Sequence, residues 1–237
     1  MRLFNRLKFL LWSLIIKVVK SPKTDEDFWD TYAKKWTPKP DAKILGEEWR
    51  DWQVFAGKLE QFIEPNMKVL EIGCGGGKIS KIAAPLCKEL TCVDVSQEML
   101  DRAKETLKPF SNVMFKKVVG FDLNDLQNNT FSLVFSHDVF AHFNPYLVYR
   151  YCQAIHRVLE PTGIGIISFY DLETHFPRFK REVARIFSYP TLVFHPASTL
   201  WFYTPDQISK FLEDVGMKII DFDREKFLIV VAQKKTG

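Results

Sequence analysis

From residue 67 onward, short apolar runs alternate with stretches of helical periodicity, and this alternation constrains the fold more than any other feature. The predicted strands are residues 68–72, 90–94, 113–118, 131–136, 163–169, 217–222 and 226–233. The predicted helices between them are residues 77–86, 96–107, 145–159 and 205–215. Alternating β and α elements predict a doubly wound α/β domain whose sheet is mostly parallel and covered by helices on both faces. In such sheets ligands bind at the carboxyl ends of the strands.

The first predicted strand leads directly into a glycine-rich segment that opens a helix. Glycine allows the backbone to turn sharply and to approach a ligand closely, and the following helix N-terminus favours a carboxylate or phosphate. A dinucleotide fingerprint, G-x-G-x-x-G, would need its third glycine where Lys78 stands. The segment instead reads E-x-G-x-G-x-G through Glu71, Gly73, Gly75 and Gly77.

This segment resembles motif I of the class I S-adenosylmethionine-dependent methyltransferases of the small-molecule type. The resemblance covers residues 66–170 well, and residues 205–233 more loosely as the final helix and an antiparallel strand pair. It implies a Rossmann-like methyltransferase fold, seven strands with the last one antiparallel, and S-adenosyl-L-methionine as the cofactor. The cofactor-binding residues that it implies are Glu71, Gly73, Cys74, Gly75, Gly77, Asp94, Val95, Met99, Asp122, Leu123, Ser136 and Tyr32.

Two acidic positions have distinct expected roles in holding this cofactor. Asp94 ends the second predicted strand, where a carboxylate can accept both hydrogen bonds from a ribose diol. The alternative is a simple helix N-terminal charge, since Ser96 could cap the next helix. After the third strand, the resemblance implies that Asp122 accepts from the adenine amine and that the Leu123 N–H donates to a ring nitrogen; Asp125 competes with Asp122 for this role.

Two histidines follow the fourth predicted strand, close to where a transferred methyl group would lie. An oxygen or carbon acceptor usually needs a general base, and His137 is the leading candidate, with His142 on the following turn as the second. No metal site is predicted, because a divalent ion needs more oxygen ligands than Asp122 and Asp138 supply. The cysteines also lack the spacing of a zinc site.

The sequence restricts the methyl acceptor without naming it. The family members that methylate nucleobase or glutamine amines carry Asn/Asp-Pro-Pro-Tyr after strand four, whereas residues 136–139 here read Ser-His-Asp-Val. Residues 171–204 are rich in aromatic side chains, which form either a lid over an apolar acceptor or an internally packed layer. We predict methyl transfer to an oxygen or carbon of a small-molecule or lipid-like acceptor. The alternatives are an RNA or protein methyltransferase and a non-catalytic S-adenosylmethionine-binding protein.

The N-terminal 20 residues form a basic, amphipathic helical pattern. Their apolar run is shorter than the roughly 20 residues that span a membrane. A broad apolar face bordered by cations is typical of a helix in a membrane interface, so an anionic membrane surface is a predicted partner of residues 1–20. The other interpretations are packing on the domain itself or on a partner subunit, and an uncleaved signal or membrane span.

We predict a basic helix at residues 1–22 and one methyltransferase domain at residues 23–237. Within this domain, residues 23–65 form a helical cover and residues 171–204 a substrate-side insertion. The net charge of +4 is mild and comes largely from the N-terminal helix, so it does not favour nucleic acid as a partner. Four cysteines without paired spacing indicate reduced thiols, and we expect a cytoplasmic protein, peripheral on the cytoplasmic membrane face.

Overall fold

The computed structural model describes residues 24–36, 44–47, 51–119, 123–188 and 199–236, and its centre is a mixed β-sheet. The strands are β1 (Lys68–Ile72), β2 (Glu89–Asp94), β3 (Val113–Lys117), β4 (Phe131–Ser136), β5 (Leu159–Asp171), β6 (Phe202–Tyr203), β7 (Met217–Asp223) and β8 (Leu228–Lys234). The α-helices are α1 (Asp25–Lys35), α2 (Trp52–Glu60), α3 (Ser80–Ala83), α4 (Gln97–Leu107), α5 (Pro145–Val158), α6 (Phe176–Ser188) and α7 (Pro205–Asp214).

The sheet has the strand order β3-β2-β1-β4-β5-β8-β7. The five strands from β3 to β5 are parallel to their neighbours, whereas β8 is antiparallel to both β5 and β7. The two-residue strand β6 lies off this path and pairs with the end of β5. The prediction of a doubly wound, mostly parallel sheet with an antiparallel last strand is therefore confirmed. The direction in which successive strands are added to the sheet reverses between β1 and β4. Such a switch point places a ligand-binding crevice at the carboxyl ends of these two strands.

Apolar side chains on the two faces of the sheet belong to two separate core clusters. Along β1, Leu70 packs in the cluster that contains Val148 and Ile155 of α5. Its neighbour Val69 points to the opposite face and packs in the cluster that contains Phe55 of α2 and Leu100 of α4. Strands buried on both faces explain why the sequence of the parallel strands is a continuous apolar run.

One predicted helix is clearly shorter in the structure than in the sequence-based prediction. The helix predicted at 77–86 begins only at Ser80 and passes into a 3₁₀ turn at Ala84–Leu86. Gly77 has φ of +85° and its N–H donates to the Cys74 carbonyl at 2.9 Å, so the glycine segment is a left-handed turn. A left-handed residue, Asp51 with φ of 67°, stands immediately before α2.

The N-terminal cover is attached to α4 and β3 by polar contacts. Thr24 caps α1, accepting a hydrogen bond from the Asp27 N–H at 3.1 Å. The Arg102 guanidinium donates to the Ala33 carbonyl at 2.6 Å, and Lys117 forms an ion pair with Glu26 at 2.5 Å. Helix α1 of the cover therefore lies beside the β2–β3 half of the sheet. The predicted helix at 1–22 lies outside the described residues.

Candidate active site

The backbone after β1 folds back on β2 in a way that requires glycine. The N–H groups of Gly73 and Cys74 both donate to the Val93 carbonyl, at 2.8 and 3.2 Å. Gly73 has φ of +72°, and an added Cβ would lie 2.5 Å from Cγ2 of Val139. Neither the dihedral angle nor the space admits a side chain, so the chain passes close to the carboxyl end of β4.

Asp94, at the end of β2, connects the two loops that flank the crevice. One carboxylate oxygen accepts from the Gly75 N–H at 3.0 Å and the other from the Ser96 N–H at 2.9 Å. Burial raises the pKa of Asp94 to about 6, against the opposing effect of these two donors. A carboxylate oxygen can accept more than one hydrogen bond, so Asp94 keeps acceptor capacity for a ribose diol.

Glu71 is the second buried carboxyl of this region. It is 3% exposed, and its side chain accepts a hydrogen bond from the Ser80 hydroxyl of α3. Burial raises the pKa of Glu71 to about 8, and the nearby Asp94 raises it further while Ser80 lowers it. The Glu71 carboxyl is therefore partly protonated at neutral pH and can become a carboxylate when a cation binds beside it.

The N-terminal cover closes this region from one side. Trp29 of α1 meets the His142 ring edge-on, with ring centroids 5.0 Å apart. Asp30 accepts hydrogen bonds from the Ser96 hydroxyl and from the Glu98 N–H, the latter at 3.2 Å. The first turn of α4, which follows Asp94, is thus held by a side chain of the cover.

His137 and Asp138 lie at the carboxyl end of β4 and contact β5. Nδ1 of His137 is 3.0 Å from the Ser168 hydroxyl oxygen. The same oxygen accepts a hydrogen bond from the Asp138 N–H at 3.0 Å. The Tyr170 hydroxyl donates to Asp138 at 3.2 Å. Burial lowers the pKa of His137 to about 3, and Lys78 lowers it further, so the imidazole is neutral at physiological pH.

One cavity of about 1170 Å³ joins these features. We call the group formed by Glu71, Gly73, Gly75, Asp94 and Met99 the cofactor wall. We call the group formed by Thr174, His175, Arg178, Arg181 and Trp201 the insertion wall. Both walls line the same cavity, which exceeds the roughly 300–1,000 Å³ typical of a pocket for one small ligand. The volume therefore suits a cofactor and a second molecule together.

The structure brings most of the predicted site residues to this cavity. Those that line it are Tyr32, Glu71, Gly73, Cys74, Gly75, Asp94, Val95, Met99, His137 and His142. Gly77 shapes the loop without being part of the lining. Ser136 is fully buried and donates to the Ile72 carbonyl at 2.8 Å. Leu123 is 2% exposed in the core, with its carbonyl accepting from Arg157 at 2.9 Å. Asp122 lies outside the described residues, and its role and that of Leu123 stay predictions.

Sequence reasoning missed three residues that organise the site. Asp30 and Ser168 form hydrogen bonds across long stretches of chain, and Tyr170 supports Asp138. The available signal was a polar side chain, Ser168, inside the apolar fifth strand near its carboxyl end. Across the described ranges, no group of three or more His, Cys, Asp or Glu side chains is placed to hold a metal ion.

The fold and the site together define a doubly wound domain with a ligand cavity at the carboxyl ends of β1 and β2. Residues 70–167 match the family model described as a methyltransferase domain. The chain is 28% identical over 106 residues to a ubiquinone biosynthesis O-methyltransferase of Xanthomonas campestris, covering 44% of this chain and 43% of the relative. It is 25% identical over 111 residues to a carboxy-S-adenosyl-L-methionine synthase of Hydrogenovibrio crunogenus, covering 46% and 44%. The chain thus spans less than half the length of these curated relatives.

The fold has the same arrangement in a solved S-adenosylmethionine-dependent methyltransferase from Methanosarcina mazei. The TM-score is 0.63 at 17% identity, covering 76% of this chain and 98% of the solved chain. Residues 70–167 are thus similar to the methyltransferase domain family, and the fold is that of solved S-adenosylmethionine-dependent methyltransferases, which implies S-adenosylmethionine as the cofactor. The residues present fit this group, since Asp94 is buried at the cavity with acceptor capacity left and a Cβ on Gly75 would enter open space.

Replacing Gly73 by alanine should weaken binding of the cofactor product S-adenosylhomocysteine by more than about tenfold, because the left-handed conformation costs roughly 1–2 kcal/mol and Val139 blocks the Cβ. Adding Val139→Ala should recover part of the loss. Gly57→Ala is the control, since nothing lies within 4 Å of its added Cβ. Calorimetric titration measures the affinities. Equal binding by Gly73→Ala and the wild type would contradict the expected role of this turn.

The raised pKa of Glu71 predicts a pH-dependent stability. The folded protein holds this proton up to about pH 8, whereas the ordinary glutamate pKa is 4.5. The folded state therefore binds more protons than the unfolded state in this window, and the free energy of unfolding falls as pH rises, by about 1 kcal/mol per unit near neutrality. Glu71→Gln, which can still accept from Ser80, should remove this slope. Urea denaturation without cofactor between about pH 6.5 and 8.5 compares the two, and identical slopes would show that Glu71 ionises normally.

Proposed function

We propose that this chain transfers a methyl group from S-adenosylmethionine to an oxygen or carbon of a small-molecule or lipid-like acceptor. The observation that carries the proposal is the single cavity lined by both the cofactor wall and the insertion wall. A shared cavity allows a bound cofactor and an acceptor to be held in contact with water excluded. Orientation of this kind can supply roughly 7–11 kcal/mol of a reaction barrier.

Aromatic and cationic side chains in and next to the insertion wall support an aromatic or amphiphilic acceptor. Tyr170 and Phe227 stack with ring centroids 6.0 Å apart, and the Arg178 guanidinium lies 4.4 Å from the Tyr170 ring centroid. Arg181 and Lys226 also line the cavity. Rings next to cations suit a flat, apolar molecule with an acidic or anionic group. One relative is a ubiquinone biosynthesis O-methyltransferase, which is in keeping with a lipid-like acceptor.

The bound cofactor supplies an electrophilic methyl group, and the chain's own residues bind and orient the reactants. With the cofactor bound, Asp94 would hold the ribose, Trp29 and Tyr32 would cover the cofactor, and the insertion wall would exclude water from the acceptor. The assignments of His137 and His142 as general bases stay predictions. His142 contacts the ring of Trp29, which is in keeping with a residue on the cofactor side.

Two alternatives remain from the sequence. An RNA or protein methyltransferase would use the basic residues of α6, among them Lys180 and Arg185, although Arg185 forms an ion pair with Glu182. A non-catalytic binding protein would need only the cofactor wall. The continuous cavity favours an enzyme with a small acceptor over both, since it provides space for a second molecule next to the cofactor.

We also propose that the protein is cytoplasmic and peripheral on an anionic membrane, through residues 1–20. The basic, amphipathic pattern of this segment supports the proposal. Among the described residues, no helix has the length and apolar character needed to cross a membrane. The four cysteines are buried and free, which is in keeping with a reducing compartment. Phe176, 47% exposed on the basic helix α6, adds an apolar side chain to the outer surface.

Methyl transfer is tested by S-adenosylhomocysteine release with three acceptor panels: hydroxylated aromatic acids and their long-chain derivatives, RNA, and peptides. We expect turnover with the first panel only. Asp94→Asn should weaken S-adenosylhomocysteine binding about tenfold or more, because it replaces an acceptor by a donor at the ribose. Asp101→Asn on exposed α4 surface is the matched control with unchanged affinity. Turnover with RNA or peptide alone, or binding without turnover in all panels, would refute the proposed acceptor class.

The membrane proposal is tested by deleting residues 1–20. The full chain should sediment with vesicles containing anionic phosphatidylglycerol, and the deletion variant should not, because the cationic apolar face is gone. Affinity for S-adenosylhomocysteine should be the same in both proteins, which controls for folding. Vesicles of neutral phosphatidylcholine should retain less protein. A full chain that stays in solution with anionic vesicles would rule out the membrane role.

A further inference from the structure

The environment of His137 determines which of its ring nitrogens carries the proton. The ring is 9% exposed and lies between two aromatic side chains. Its centroid is 4.6 Å from that of Phe55 at an interplanar angle of 30°, and 5.1 Å from that of Phe227 at 87°. These contacts fix the plane of the imidazole, so that Nδ1 stays 3.0 Å from the Ser168 hydroxyl oxygen.

Only one placement of the hydroxyl and imidazole protons gives the Ser168 hydroxyl group both a donor and an acceptor as partners. Its side chain is 1% exposed, so its single hydroxyl hydrogen needs a protein acceptor. The Asp138 N–H, 3.0 Å away, is a donor and occupies one lone pair of the oxygen. Within the described part of the chain, the remaining partner of Ser168 is Nδ1 of His137. The serine hydroxyl must therefore donate to Nδ1, which leaves that nitrogen without a proton.

We propose that Ser168 fixes His137 as the neutral tautomer protonated at Nε2, so that His137 is a hydrogen-bond donor to the acceptor molecule and not its general base. The inference rests on the proposed function, because it assigns His137 to binding an oxygen of the methyl acceptor. Ser168 is then a positioning residue that acts through His137.

Two further observations agree with this assignment. The pKa of His137, lowered by burial to about 3, is far from the value near the working pH that suits a general base. Arg178, Arg181 and Lys226 also line the cavity, so the chain offers positive charge and an N–H donor together. Such a site favours an acceptor whose nucleophilic oxygen is already ionised when bound, such as an acidic phenol, an enol or a carboxylate.

The tautomer is measured without turnover. Histidine labelled with nitrogen-15 is incorporated into the full chain, and long-range nitrogen–proton correlation spectra are recorded with S-adenosylhomocysteine bound. The His137 signals are assigned by their loss in His137→Gln. We expect the Nε2-protonated pattern in the wild type and in Ser168→Thr, which keeps the hydroxyl. Ser168→Ala should lose this preference. An Nδ1-protonated ring in the wild type would overturn the inference, whatever the activity of the protein.

The role is measured by kcat with an acceptor that is turned over. His137→Gln keeps an N–H donor near the Nε2 position but has no basic nitrogen, whereas His137→Leu has neither. We expect His137→Gln to retain at least about a tenth of kcat and His137→Leu to lose about 10²–10³, as for the loss of one preorganised donor. Equal losses in both variants, with S-adenosylhomocysteine affinity unchanged, would overturn the donor role. Absence of turnover in the wild type would instead refute the proposed function, while the tautomer spectra still decide this inference.

Discussion

The Asp94 carboxylate, held between two backbone N–H groups, is the interaction on which the cofactor site depends. It ties the loop after β1 to the loop after β2 through Gly75 and Ser96. The two loops belong to adjacent parallel strands, and each would otherwise leave buried backbone donors without partners. A buried carboxylate costs solvation free energy, which the N–H donors and later a ribose diol offset. The position of this one side chain therefore sets both the shape of the crevice and its preference for a hydroxylated ligand.

The cover extends this arrangement from the sheet to the N-terminal helix α1. Asp30 accepts from Ser96 and Glu98, and Ser96 in turn caps α4 by accepting from the Met99 N–H at 3.1 Å. Ser96 therefore both caps α4 and forms a hydrogen bond with Asp30 of the cover. Because Met99 also lines the cavity, the packing of α1 on α4 and the shape of the adenosine side of the pocket depend on one another.

Local sequence was sufficient for part of this site and insufficient for the rest. The positions of Gly73 and Asp94 at the cavity follow from a short motif after a strand, because backbone turns and strand ends depend on neighbouring residues. The sheet class followed from the alternation of apolar runs. The hydrogen bond of Ser168 to His137 joins residues 31 positions apart, and no local pattern encodes such a pairing. Sequence periodicity also placed the start of the helix after β1 too early, because periodicity does not detect the left-handed turn at Gly77.

The two walls of the cavity come from different parts of the chain, and this has an evolutionary consequence. The segment shared with other methyltransferases, residues 70–167, contains the glycine loop and Asp94. All five residues of the insertion wall lie beyond it. Mutations can therefore accumulate in the insertion without disturbing the nucleoside pocket. Such separation allows the acceptor specificity to change in evolution while the cofactor side of the cavity stays the same.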